Sequence, residues 1–190
     1  MGAGLVERGA ILIDADQIVR DLQQPGQPVF EAMVERWGTA VVAADGTLDR
    51  AAVAEAVFND ADELAALNAI VHPAVGTEMA RRRAAAAEQS PDAVVVLDIP
   101  LLVRPGGEPI AERYRDLAGI VVVDADPEIA VRRLVAQRGL SVQDARARIA
   151  RQADRESRLA VADFVINNDG ALEELEPQID ACYRWAVALG

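Results

Sequence analysis

The sequence predicts an α/β fold built on a parallel sheet with crossover helices. Four short apolar runs, at residues 10–15, 93–98, 118–123 and 162–167, end at or beside a carboxylate or an asparagine. Buried strands covered by helices on both faces read as unbroken Ile, Leu and Val in this way. Stretches of helical length separate the runs, and strand–helix alternation is the pattern of parallel strands joined by crossovers. With 190 residues, 52% of them hydrophobic and 26% charged, the chain is long enough for one α/β domain with a proper core and too ordered in composition for disorder.

Composition also narrows the function classes. A net charge of −12 argues against a nucleic-acid-binding surface, though not against a local basic pocket. A single cysteine, Cys182, excludes a disulfide framework and gives no sign of a metal cluster. There is no apolar run of membrane-spanning length and no signal peptide, so a cytoplasmic protein without membrane or nucleic-acid partners is expected. All 19 basic residues are arginine, so no mechanism needing a lysine ammonium on a phosphate is open to these residues.

Taken in order, residues 2–9 read as a helix closed by Gly9. Gly2 and Gly4 tempt a phosphate-loop reading, but neither a preceding strand nor G-K-[ST] accompanies them. The strand at 10–15 ends at Asp14 and Asp16, on the carboxyl side where open α/β sheets bind ligands. Two apart on extended backbone, the two side chains leave the same face. Such a pair suits Mg²⁺ binding, general-base work on a hydroxyl, or nucleophilic attack. A plainer reading stands beside it. Val121-Val-Val-Asp-Ala-Asp-Pro127 repeats the pattern, and there Asp126 before Pro127 looks like a simple helix cap, so Asp16 is equally readable as the cap of a helix from Gln17. Arg20 lies one turn beyond Asp16, placed either for an i,i+4 ion pair or for an anionic ligand.

Pro28 opens a helix to Gly38 with Val29, Phe30, Met33, Val34 and Trp37 as its core face. Asp45-Gly46 is a turn, and Asp49 caps a helix over 50–58. Residues 60–87 are helix-rich, with Pro73 breaking or kinking them after His72, the only histidine. His72 is read as a packing or capping residue as readily as a ligand. Pro100 ends the strand at 93–98 on the ligand side, and 104–109 is a Pro- and Gly-rich loop. Pro127–Arg138 is a helix closed by Gly139. Ser141 starts another, through about Gln152, with Val142, Ala145 and Ile149 inward. The last helix spans about 171–188. Arg132, Arg133, Arg138, Arg146, Arg148, Arg151, Arg155 and Arg158 face only Asp144, Asp154 and Glu156 in that stretch, which suits either a mobile segment closing on phosphates or solubilised surface helices.

These blocks together resemble a known family. Ile13-Asp-Ala-Asp-Gln-Ile-Val-Arg20, Asp45-Gly46-Thr-Leu-Asp-Arg50, Leu67-Asn-Ala-Ile-Val-His-Pro73, Asp98-Ile-Pro-Leu-Leu102, Gln137-Arg138 and Ile166-Asn-Asn-Asp-Gly170 stand in the order found in dephospho-CoA kinases. The resemblance runs from about residue 5 to the end. It implies a three-layer P-loop kinase-like parallel sheet with flanking helices, a CoA-binding helical segment at about 28–88 and a lid at about 132–158, in one domain over 1–190. It implies ATP-dependent phosphorylation of the 3′-hydroxyl of dephospho-CoA, with ATP as co-substrate and Mg²⁺. By position Asp16 is the general base and Arg138 the lid arginine on the moving phosphoryl. Asp14, Arg20, His72, Pro100, Leu101 and Leu102 line the dephospho-CoA site, and Asn167 lies near the adenine of ATP. The expected assembly is a monomer or weak homo-oligomer, and no residue set forms a protein-only metal site.

Two departures go with it. Arg104 stands where the family usually has a glutamate. The family's opening strand and G-x-x-x-x-G-K-[ST] loop are not in these residues, so the first, central strand of a 2-3-1-4-5 sheet is expected to be absent, the remaining strands to leave a gap or re-pair, and the chain as given to be a poor kinase. Two other readings compete. One is a non-catalytic nucleotide- or CoA-binding remnant. The other is a haloacid-dehalogenase-type phosphatase with Asp14 as nucleophile, which lacks its lysine and later acidic pair here.

Overall fold

The computed structural model describes residues 1–58, 60–103, 110 and 112–190; the loop at 104–109, Arg104 included, lies outside the described residues. The elements follow the order α1 (Gly2–Glu7), β1 (Ile11–Asp14), α2 (Ala15–Leu22), α3 (Pro28–Trp37), α4 (Arg50–Phe58), α5 (Ala61–Gln89), β2 (Val95–Asp98), β3 (Val121–Asp124), α6 (Pro127–Arg138), α7 (Val142–Ala150), α8 (Arg155–Ala160), β4 (Phe164–Asn167) and α9 (Leu175–Val187). β1 pairs with β2 and β3 with β4, as two two-stranded sheets rather than one. The β3–β4 pair is parallel, in register Val121 with Phe164 through Asp124 with Asn167.

The chain divides into two compact units, one of residues 1–12, 92–96 and 100–190, the other of 13–91 and 97–99. In the first, Leu5, Ala10, Ile166, Ile179 and Cys182 form the core, with Phe164 and Trp185 tilted against each other at 5.3 Å beside it. Gly2 and Gly4 are helix residues, as expected, and Gly4 has a packing reason to be glycine: a Cβ there would stand 2.9 Å from Ile179 Cδ1. Arg8 fastens α1 to α9, donating to Asp180 at 2.5 Å and to Glu176 at 2.8 Å. Gly139 ends α6 in the left-handed region, φ +65°, where a side chain would be strained.

In the second unit, α2, α3 and α4 pack on the long α5. Ile18 and Met33 are fully buried, joined by Val29, Phe30, Val41 and Met79. The core face expected for α3 is therefore the one it buries. Polar clasps surround that core. Glu63 receives Arg36 and the Trp37 indole N–H, the latter at 2.8 Å. Glu78 receives Arg81 and Arg82 at 2.7 and 2.8 Å, while Arg82 also reaches Asp21 on α2 at 2.7 Å.

Two expectations are corrected, and one helix appears that the sequence reading left unassigned. Pro73 does not break its helix, because α5 runs unbroken over 29 residues through it. Packing of three helices along α5 outweighs the one hydrogen bond a proline removes. Val142 does not face inward: it is 52% exposed while Ala145 is fully buried, since α7 starts with Ser141 as its cap and turns its first residue outward. Residues 155–160, with no strong apolar period, form α8 because Asp154 caps them, accepting from the Ser157 N–H at 2.7 Å.

Candidate functional site

The acidic end of β1 is built by a cap. Asp14 closes the strand with extended backbone and its Oδ1 accepts the Gln17 N–H at 2.9 Å, so α2 begins at once with Ala15. This corrects the sequence reading twice: the cap is Asp14, not Asp16, and the two carboxylates do not share one strand face. Asp16 instead sits exposed in the first turn of α2, where the helix dipole favours a negative charge. Arg20 is exposed too, and its Nη1 donates to Gln17 Oε1 at 3.2 Å.

A third carboxylate, Asp98, which the sequence places at the end of a strand in the block 98–102, belongs with these two. Asp98 ends β2, beside β1 in the sheet. Its carboxyl is raised above the ordinary range, first by partial loss of water although the residue is exposed, then by the charges of Asp14 and Asp16. The signal was available: like Asp14, Asp98 closes an apolar run. Among the described residues no group of three or more His, Cys, Asp or Glu is arranged to hold a metal ion alone. The cluster thus fits Mg²⁺ only as a minority ligand set, the manner in which that ion takes one or two carboxylates with waters and phosphate oxygens.

His72 lies exposed on α5, within an intact helix rather than at a break. The same unit holds a mostly apolar cavity of about 250 Å³ walled by Gln23, Met33, Leu48, Val53, Val57 and Leu67, with Arg50 at its side. Gln23 spends its side-chain amide there on a weak contact, Nε2 to Met33 Sδ at 3.8 Å. Pro100, Leu101 and Leu102 follow β2 in the turn, Leu101 being 61% exposed.

The first unit carries the arginine-rich segment, and its arginines separate into two groups. Arg155 grips the buried Asp124 with Nε and Nη2, the shortest contact 2.6 Å, and Arg146 reaches Glu128 at 3.1 Å. Arg133 turns onto main-chain carbonyls beyond β4. These three are engaged by protein groups. Arg138 is exposed at the last turn of α6, beside Gly139. The Asn167 side chain closes a turn with Asp169, donating to its Oδ2 at 3.1 Å and accepting its N–H at 2.8 Å, while Gln178 brackets the Asn167 main chain. The N–H of Asp126 and then the Asn167 amide hold the Asp169 carboxyl below its ordinary range, against the opposing cost of desolvation.

The fold is that of parallel-stranded α/β proteins with flanking helices, and two solved structures share it. One is TT1252 from Thermus thermophilus, 34% identical, covering 96% of this chain and 88% of its own at a TM-score of 0.72. The other is the dephospho-CoA kinase from Campylobacter jejuni, at 20% identity alike in fold alone, covering 98% and 92% at a TM-score of 0.68. A family model described as dephospho-CoA kinase matches residues 2–174. The dephospho-CoA kinase of Streptomyces avermitilis is 52% identical over 92% of this chain and 81% of its own length, and that of Corynebacterium glutamicum 44% over 92% and 84%. The chain belongs to the dephospho-CoA kinase family.

Proposed function

We infer that this chain carries out ATP-dependent phosphorylation of the 3′-hydroxyl of dephospho-CoA, closing coenzyme A synthesis. The observation that carries the reading is the family match over residues 2–174, within which the acidic strand ends and the arginine-bearing helix both fall. In this reading Asp16 accepts the hydroxyl proton as the oxygen attacks the γ-phosphorus, and the bond to the ADP oxygen breaks. Asp14 and Asp98 add further negative charge at that end of the strands. Arg138 meets the charge on the moving phosphoryl. One or two carboxylates of the Asp14, Asp16 and Asp98 cluster would hold Mg²⁺, which would supply neutralising charge for the phosphates there. Arg20, His72 and residues 100–102 line the acceptor, and the apolar cavity with Gln23 and Arg50 suits its uncharged, amide-bearing arm. The helical segment at 28–88, the lid at 132–158, a monomeric or weakly associating chain and a cytoplasmic setting complete the reading; among the described residues no helix is long and apolar enough to cross a membrane.

The 190 residues hold no G-x-x-x-x-G-K-[ST] sequence, so the test is paired. ATP, Mg²⁺ and dephospho-CoA are given to the chain as it stands and to the chain preceded by a strand and such a loop. Formation of CoA by the loop-bearing form, and its loss in Asp16→Asn, is the expected outcome. Dephospho-CoA binding without turnover in either form would replace the kinase reading with that of a binding module.

A further inference from the structure

We propose that Arg133 is the positioning residue of the nucleotide-base loop, residues 167–171, and that it leaves the Gly170 N–H as the loop's donor to the base. The proposal rests on the kinase reading, in which Asn167 lies by the adenine. Arg133 lies on α6, within the arginine-rich stretch. Its guanidinium instead spans three successive carbonyls: Nη1 donates to Asn168 O, and Nη2 to Gly170 O at 2.8 Å and Asp169 O at 3.4 Å. A planar fork of donors suits such a row, which a single ammonium does not.

The consequence follows from peptide geometry. In a trans peptide the C=O of one residue and the N–H of the next point in opposite directions. Drawing the carbonyls of Asn168, Asp169 and Gly170 onto Arg133 therefore turns the N–H groups of Asp169, Gly170 and Ala171 away from it. The Asp169 N–H is taken by Asn167 Oδ1 at 2.8 Å, and the Ala171 N–H by Glu174 Oε1 at 3.1 Å. The Gly170 N–H is left without a protein acceptor among the described residues, on an exposed residue. The loop is anchored on its other sides as well: the Asp126 N–H donates to Asp169 Oδ1 at 2.6 Å, the Asn168 N–H to Asp124 O at 2.7 Å, and Gln178 holds the Asn167 main chain. A donor fixed in this way suits a ring nitrogen of a purine, since a preorganised loop loses little freedom on binding. The side chain of Asn167 commits one donor and one acceptor to Asp169, so it shapes the turn that presents this N–H.

The test compares the affinities of ATP and of inorganic tripolyphosphate, which has no base, for the wild-type chain, Arg133→Ala and Arg133→Lys. Amide exchange at residues 168–171 is followed in each. Wild type is expected to prefer ATP and to slow exchange at Gly170 when ATP binds. Arg133→Ala should reduce that preference about tenfold, and Arg133→Lys by less, with tripolyphosphate affinity unchanged, as expected for loss of one ordered contact. An equal loss for both ligands would make Arg133 merely structural and overturn the proposal. So would an unchanged preference, or a wild-type chain that prefers ATP no more than tripolyphosphate. Arg133-dependent ATP preference kept in a loop-bearing form that never phosphorylates dephospho-CoA would instead overturn the kinase reading.

Discussion

Two stretches of this chain share one local grammar: Ile13-Asp-Ala-Asp16 after β1 and Val123-Asp-Ala-Asp126 after β3. Each closes a strand and opens a helix, yet they meet different electrostatic ends. After β3, Asp124 is 3% exposed and held by Arg155, while Asp126 caps α6, accepting the Glu128 N–H at 2.8 Å ahead of Pro127. After β1 the cap falls two residues earlier in the pattern, since Asp14 is the cap and Asp16 stands in the helix. There the charges of both aspartates act on a further carboxylate, Asp98. Compensated charge builds a fold; like charge gathered at a strand end stores a tendency to bind protons or cations, which a phosphoryl-transfer site can use. Sequence similarity between two segments therefore does not carry over into similarity of role.

The comparison is open to direct attack. The largest effect is expected at Asp16. Asp16→Asn in a turning-over form of the chain should lower kcat by about 10²–10⁴-fold, the range of a lost general base, with the KM for dephospho-CoA and the melting temperature little changed. Steady-state kinetics beside a thermal scan reads this, and a fall in stability equal to the fall in rate would reduce Asp16 to a structural residue. Next comes Arg155→Ala, which leaves Asp124 buried without its cation. The expected loss is about 2 kcal/mol of unfolding free energy in urea, below the range for fully buried pairs because Arg155 is 44% exposed. Asp124→Asn with Arg155→Ala together should cost less than the two changes summed, because the second no longer strands a charge.

Smaller still is the cap. Asp126→Ala should cost about 1 kcal/mol and Asp126→Asn close to nothing, since asparagine caps as well as aspartate. If both were equally harmful, the Asp126 charge rather than its cap would be the working feature, and the contrast with Asp16 would collapse. The smallest effect concerns pH. The folded-state carboxyl of Asp98 is raised above its ordinary 3.8, so its ionisation destabilises the fold. That cost is absent below about pH 3.8, grows as pH rises toward the folded-state value and persists above it. Asp98→Asn should therefore raise the melting temperature by about 1–3 °C at pH 7 and leave it unchanged near pH 3. A lower melting temperature at neutral pH would show that the Asp98 charge is compensated after all.

Much of this was legible in the sequence. The four strands, the Pro28 and Pro127 helix starts, the Gly38 and Gly139 stops and the caps at Asp49, Asp126 and Ser141 all rest on groups within a few residues of one another, so the chain states them locally. The ordered blocks around Asp16, Asp98 and Arg138 carried the family as well. What the sequence misplaced was the cap at Asp14 and the breaking power of Pro73. A two-residue shift in where α2 begins decides the first, and the packing of α2, α3 and α4 along α5 decides the second.

The sequence by itself determined the element order, the kinase family and the absence of any lysine to meet a phosphate. Tertiary structure alone decided which charges are answered. Arg155 reaches Asp124 from 31 residues away and Arg133 reaches Asn168 from 35, while Asp98 joins Asp14 and Asp16 only because β2 lies beside β1. The physical reason is one of range: a cap or a turn is settled by hydrogen bonds to near neighbours, whereas the cost of a carboxylate depends on every charge and every lost water that folding brings to it.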